Sequence, residues 1–211
     1  MFRFSFLLLV CAILPGFPGE VHSAGSDREK RVYEIYSLMF TTPVTGHNPD
    51  KNELYLIAAM TASASRNEPC VEPPDERKDA FQEVLADYEH RKNERRELKP
   101  LLTIAKPYLL LSAEEVKAAM KALDATPDPR VPDERFRGAT DVFTCSEVYF
   151  NKRETLALAA IESWCGSNCG LHQWKVFERL DAGRWEERPW AVCRTFASVS
   201  RAKRSRRTSG M

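Results

Sequence analysis

The sequence lacks the short motifs that assign a reaction directly. Neither G-x-S-x-G, which presents a nucleophilic serine, nor H-E-x-x-H, which binds a catalytic zinc ion, occurs in its 211 residues. The chain has only 4 histidines, and His22 lies in a segment that we predict to be removed. His47, His90 and His172 therefore remain for any active site, although folding can still assemble a dispersed His–Asp–Ser triad from distant residues.

Apolar runs long enough to cross a membrane are also missing. The run from Phe4 to Leu14 follows Arg3 and is well short of the roughly 20 apolar residues that a spanning helix needs. A basic start, a short apolar region and small residues before Ala24 are the layout of a signal peptide. We predict that residues 1–24 are a signal peptide, cleaved after Ser23 or Ala24, rather than an uncleaved anchor. The mature chain would then be secreted or periplasmic and would not span a membrane.

A strong net charge is absent, because the whole chain carries +1. Residues 201–211 hold five lysines and arginines and show no apolar periodicity, which predicts a basic disordered tail. The tail either contacts anionic surfaces or is simply solvated. The remaining domain is mildly acidic, which argues against a nucleic-acid-binding face on it.

Apolar periodicity predicts a single α+β domain over residues 25–200. The helical spacing of apolar residues predicts helices at 28–40 and 75–97, and a capping box at 112–115 begins a third. The run 54–61 is typical of a buried strand, and 101–111, which contains a proline, of an edge strand.

In the second half of the chain, after the proline-rich linker 126–132, apolar and polar residues alternate with a period of two. Strands are predicted at 155–164, 173–180 and 185–196, and Pro189 assigns the last one to an edge. We therefore expect an antiparallel β-meander over about residues 137–197. It would belong to a sheet of five to seven strands, with about three helices covering one face.

The predicted export decides how the cysteines are interpreted. Five cysteines remain after cleavage, and in an oxidising compartment they are disulfide candidates: Cys70, Cys145, Cys165, Cys169 and Cys193. Because five is odd, one thiol is free or pairs between molecules. Proximity favours a bond between Cys165 and Cys169, and Cys145 could pair with Cys193 if their strands are neighbours.

One set of short motifs lies in the predicted meander. It runs Ser146-x-Val148-x-Phe150-Asn151, then Cys165-Gly166-x-x-Cys169-Gly170, then Gly183-x-Trp185. This pattern resembles one in uncharacterised secreted bacterial proteins, in which a C-G-x-x-C-G loop joins two strands and a G-x-W hairpin follows. The resemblance implies a bacterial, exported origin and a β-meander, and it assigns no reaction.

The cysteine loop admits two sharper interpretations. Cys165, Cys169 and His172 have a spacing that zinc ligands can use, but no second pair of ligands accompanies them. Thiol redox chemistry typically uses C-x-x-C at a helix N-terminus, whereas three residues separate these cysteines in a predicted hairpin. We therefore predict a disulfide that closes the hairpin, with no metal and no cofactor.

Aromatic residues are concentrated in the meander, where they either fill the core or form a binding surface for sugar rings or proteins. Alternation with neighbouring apolar residues favours the core for Trp174, whereas Trp164 and Trp190 are the candidates for exposure. We hypothesise an exported, non-catalytic domain that binds a ligand, a protein or a glycan near the Cys165–Cys169 loop, with Trp164, His172 and Trp190 at the site. The alternative is an extracytoplasmic hydrolase of cell-envelope material.

Overall fold

A computed structural model describes residues 24–41, 53–64, 68–124, 134–166 and 169–192. The predicted signal peptide before Ala24, the linker 126–132, the basic tail, His47 and Cys193 lie outside the described residues. The helices are α1 (Ala24–Thr41), α2 (Lys78–Arg91) and α3 (Ala113–Asp124). The strands are β1 (Tyr55–Ala58), β2 (Val71–Glu72), β3 (Tyr108–Leu111), β4 (Val142–Cys145), β5 (Tyr149–Phe150), β6 (Leu156–Trp164), β7 (Gly170–Arg179), β8 (Trp185–Arg188) and β9 (Ala191–Val192).

The three predicted helices are confirmed, with shifted ends. The second is shorter than predicted, because residues 75–77 form a 3-10 turn and α2 ends at Arg91. The capping box at the start of α3 forms as expected. The Ser112 amide donates to the Glu115 carboxylate at 2.9 Å, and the Glu115 amide donates to the Ser112 hydroxyl at 3.4 Å.

The main sheet is mixed, so the expectation of a purely antiparallel meander is wrong. Its strand order is β3-β1-β4-β6-β7-β8, with β5 also paired to β6. β4, β6, β7 and β8 are antiparallel neighbours, as the period-two pattern predicts. β1 instead lies parallel to both β3 and β4. The chain between β1 and β3 contains α2, and such a long crossover returns the next strand in the same direction.

The predicted strand 185–196 divides near Pro189. β8 is an edge strand of the main sheet, as the proline predicts, and it ends at Arg188. Proline lacks the N–H that would continue a ladder. β9 pairs antiparallel with β2 in a separate two-stranded sheet, with Val71 opposite Val192.

Helices cover both faces of the main sheet, not one. Ala157, Ala159 and Ile161 of β6 belong to the cluster that contains the apolar side of α1. The alternate residues Leu158 and Ala160 belong to a cluster with α2. Because successive side chains of a strand point to opposite faces, α1 and α2 pack on opposite sides of the sheet.

A third cluster joins α3 to the face that α2 covers, further along the sheet. It contains Ala119 of α3, Leu56 of β1 and Val142 of β4. No helix in the described ranges is both long enough and apolar enough to cross a membrane.

Candidate functional site

The cysteine loop connects β6 to β7, and the structure bonds Cys165 to Cys169 across it. Their Cα atoms are 5.1 Å apart, and the Cys165 amide donates to the Cys169 carbonyl at 3.2 Å. The bond therefore closes the end of the longest antiparallel pair in the sheet. The predicted disulfide is confirmed in the structure.

The pairing of Cys145 with Cys193 is wrong, because Cys145 is a free, buried thiol. Its side chain lies in the core beneath α1, with about 1% of its surface exposed. Burial raises the pKa of the Cys145 thiol to about 12, so the thiol stays protonated and unreactive at neutral pH. Cys70 is disulfide-bonded.

A row of polar side chains crosses three strands beside the loop. Thr144 of β4 is opposite Glu162 of β6, and Glu162 is opposite His172 of β7. His172 Nδ1 is 2.9 Å from Glu162 Oε1, and the His172 ring lies edge-on to Trp174 with centroids 5.8 Å apart. The row thus holds a hydroxyl, a carboxylate and an imidazole on one face.

The predicted aromatic site is only partly assembled. Trp164 is half-buried at the end of β6, on the strand that carries Glu162. Trp190 lies beyond β8, and its ring packs against Phe81 of α2 with centroids 5.8 Å apart. Trp174 is buried, as predicted from its alternation. The ring of Trp190 thus packs on α2, whereas the ring that lies against His172 is that of Trp174.

A groove lies along α1, on the opposite side of the sheet from α2. Its volume is about 700 Å³. One side is formed by α1 itself, from Glu29 to Thr41, and the others by Leu101 and Thr103 and by the turn that joins β7 to β8. Leu101, at the edge of the groove, is about 52% exposed.

The polar groups of the groove are mostly committed to the protein. The Tyr33 hydroxyl accepts the Lys99 amide at 2.6 Å. The Ser37 hydroxyl donates to the Tyr33 carbonyl at 2.7 Å and accepts the Thr103 amide at 2.9 Å. At the rim, Glu29 pairs with Lys99 at 2.6 Å, and this ammonium lowers the pKa of the Glu29 carboxyl.

Trp185 closes one side of the groove. It is buried, with about 2% of its surface exposed, and its ring lies 5.9 Å from that of Phe150. Its indole N–H is buried and has no acceptor among the described residues. Gly183, two residues earlier, has φ +81°, and this left-handed conformation allows the tight turn that brings Trp185 into position.

A buried ionic cluster lies apart from the groove, where α2 meets the segment between β4 and β5. The Glu147 carboxylate is about 1% exposed and accepts from Arg91 at 3.0 Å, from Arg96 at 3.1 Å and from the Thr61 hydroxyl at 3.2 Å. Each of these contacts joins the carboxylate to a residue of another segment of the protein. The cluster therefore acts as a structural link between elements.

The sequence predicts a site at the cysteine loop and does not predict the groove along α1. The groove depends on Leu101, in a segment predicted as strand, and on the polar side of α1, which periodicity marks only as solvent-facing. The G-x-W motif is the one available signal, because Gly183 and Trp185 both line the groove.

Within the described residues, no group of three or more histidine, cysteine or acidic side chains is arranged to hold a metal ion. Comparisons of the chain with protein-family models, with curated proteins and with solved structures gave no match.

Proposed function

We propose that this chain is an exported, non-catalytic binding domain whose ligand occupies the groove along α1. The observation that carries the proposal is a cavity of about 700 Å³ with an exposed leucine at its edge and a buried tryptophan on its side. This volume is within the range of small-molecule sites, which are concave and mostly apolar with few polar groups. The N-terminal signal-peptide pattern and the Cys165–Cys169 bond support export.

The sheet face beside the cysteine loop is the second candidate for the binding surface. It is favoured by the Glu162–His172 pair, with Trp164 nearby, close to the loop at which the sequence predicts a binding site. It is the weaker candidate, because Trp174 is buried and Trp190 packs on α2. A protein or glycan ligand would find one half-exposed tryptophan there rather than an aromatic platform.

Hydrolysis of cell-envelope material is the alternative activity, and the polar row argues against it. A catalytic triad places the histidine between the hydroxyl and the carboxylate, so that the imidazole removes the hydroxyl proton. Here the carboxylate of Glu162 lies between Thr144 and His172. The order of the three strands thus separates the base from the nearest hydroxyl of the row.

A neutral, environment-sensitive dye tests whether the groove binds apolar ligands. Nile red is titrated into the purified mature protein and its fluorescence is recorded. We expect saturable binding to the wild type and at least a tenfold weaker affinity for Leu101→Asp. A charge at the groove edge should repel an apolar ligand, because a buried charge without a partner is costly.

Leu109→Asp is the matched control. Leu109 is the other exposed leucine among the described residues, at about 38% exposure, and it lies in β3 outside the groove lining. This variant should bind Nile red like the wild type. Equal binding by all three proteins, or equal loss in both variants, would contradict the assignment of the groove.

A further inference from the structure

The inventory of hydrogen bonds around the groove points to the chemistry of its ligand. Resting on the function proposed above, we propose that the groove binds a neutral single-chain acyl ester, with the chain along α1 and the ester oxygens facing Trp185 and Tyr33. The groups of the lining that can still donate a hydrogen bond, the length of the groove and the charges at its rim together select this ligand.

Two buried polar groups of the lining, the indole of Trp185 and the hydroxyl of Tyr33, can still donate a hydrogen bond to a ligand. Indole N–H groups can only donate, and that of Trp185 has no acceptor among the described residues. The Tyr33 oxygen already accepts the Lys99 amide, so its remaining capacity is donation of its O–H. A ligand oxygen that accepts from these groups would remove the cost of an unsatisfied buried donor.

The buried Ser37 hydroxyl of the lining, by contrast, is already used. The Ser37 hydroxyl both donates to the Tyr33 carbonyl and accepts the Thr103 amide. A peptide segment would bring its own N–H groups, and in this lining they would meet no free buried hydroxyl. Buried N–H groups without acceptors are strongly disfavoured. An ester carries acceptor oxygens and no donor, so it suits the lining better than a peptide does.

The shape and charge of the groove favour a neutral, elongated molecule. The lining extends along α1 from Glu29 to Thr41, which at 1.5 Å per residue is about 18 Å. The rim carries both signs of charge: Glu29 is paired with Lys99, and Arg184 is paired with Glu186. Lys30 and Glu34 also line the groove, so its charged lining residues are two of each sign. A lining with balanced charges gives no net attraction for a strongly charged ligand.

The test compares two amphiphiles with the same chain length as monomers in solution. Monolaurin has an acyl ester, whereas dodecyltrimethylammonium has no hydrogen-bond acceptor. Each is used to displace Nile red from the wild type, from Trp185→Phe and from Tyr33→Phe. We expect monolaurin to bind the wild type at least tenfold more tightly than the ammonium compound. Each variant should weaken monolaurin binding about fivefold, as expected for one lost hydrogen bond.

Binding of dodecyltrimethylammonium is the internal control, because it should be unchanged in both variants if they keep their fold. Equal affinity for the two amphiphiles, or unchanged monolaurin binding in both variants, would overturn the acyl-ester assignment while leaving the groove a binding site. Displacement of Nile red by a capped apolar tetrapeptide but not by monolaurin would overturn it in favour of a peptide ligand. Failure of Nile red itself to bind the wild type would instead contradict the proposed function.

Discussion

The Cys145 thiol makes the stability of the fold sensitive to alkaline pH. Burial raises its pKa from 9.0 to about 12, so between these values the folded protein keeps a proton that the unfolded chain loses. The free energy of unfolding should therefore fall as pH rises above about 9, by at most about 1.4 kcal/mol per pH unit from this group. Urea unfolding of the wild type and of Cys145→Ala at pH 7 and pH 10.5 measures the effect.

The difference between the two proteins reports the thiol and its charge coupling to Tyr36. Tyr36 and Tyr149 also have raised pKa values, mainly because they are buried. Cys145 adds a smaller coulombic contribution to the pKa of Tyr36 and none to that of Tyr149, so only the Tyr149 contribution is equal in both proteins. Cys145→Ala should lose less stability than the wild type over this pH interval. Parallel losses would show that the thiol is not buried as the structure has it.

Glu147 is the second residue whose environment predicts a large effect. Its buried carboxylate neutralises the guanidinium groups of Arg91 and Arg96. Glu147→Gln removes the negative charge and leaves these cations facing a neutral amide, which should cost about 3 kcal/mol of unfolding free energy. Urea denaturation measures the cost.

An exposed ion pair at the C-terminal end of α2, the helix that carries Arg91, supplies the comparison. Glu89 contacts Lys92 at 2.5 Å, with more than half of the Glu89 side chain exposed. Glu89→Gln should cost less than about 1 kcal/mol, because solvent screens the pair. Similar losses for the two variants would mean that the Glu147 cluster is hydrated in solution.

At the level of secondary-structure elements, the start of α3 depends on the capping box. The Ser112 hydroxyl and the Glu115 carboxylate exchange hydrogen bonds with each other's amides. Ser112→Ala removes the hydroxyl and should cost about 1 kcal/mol of unfolding free energy, measured by thermal or urea denaturation. Ser112→Thr keeps the oxygen and should cost clearly less. An unchanged free energy of unfolding in Ser112→Ala would show that packing alone fixes the start of α3.

Local patterns predicted these elements well and their assembly poorly. The capping box and the period-two strands were readable because both depend on residues within a few positions of each other. The parallel pairing of β1 with β3 and β4 was not, because it depends on contacts between residues about 50 or more positions apart. A buried strand between breakers has the same pattern whether its neighbours run parallel or antiparallel.

The candidate site likewise has one part that local patterns predict and another part that depends on the assembly of distant segments. His172 and Trp164 lie close to the Cys165–Cys169 loop, as their sequence positions indicate, because the loop joins the end of β6 to the start of β7. The groove joins α1, the segment around Leu101 and the turn before Trp185, which are far apart in the chain. No local period reports such a meeting of distant segments, so the groove became visible only in three dimensions.

At the scale of the whole molecule, the described cysteines include one local crosslink and one bonded cysteine whose partner lies outside the described residues. Cys70 is disulfide-bonded, Cys145 is free, and Cys165 is bonded to Cys169. If the signal peptide is removed with Cys11, Cys193 is the remaining partner for Cys70. β2, which directly follows Cys70, pairs antiparallel with β9, with Val71 opposite Val192 at the end of the register. We therefore expect a bond between Cys70 and Cys193.

The two crosslinks should differ in their effect on stability, because a disulfide stabilises mainly by restricting the unfolded chain. Closing a loop of roughly 120 residues between positions 70 and 193 should contribute about 5 kcal/mol, against about 2 kcal/mol for the short loop between Cys165 and Cys169. Paired alanine substitutions, compared by urea unfolding without reductant, test this order.

Proteolysis without reductant followed by mass spectrometry identifies the bonds directly. A peptide that links Cys145 to another cysteine, or a larger loss from removing Cys165 and Cys169, would contradict the assignment, since a long crosslink restricts far more of the unfolded chain than a hairpin tip does.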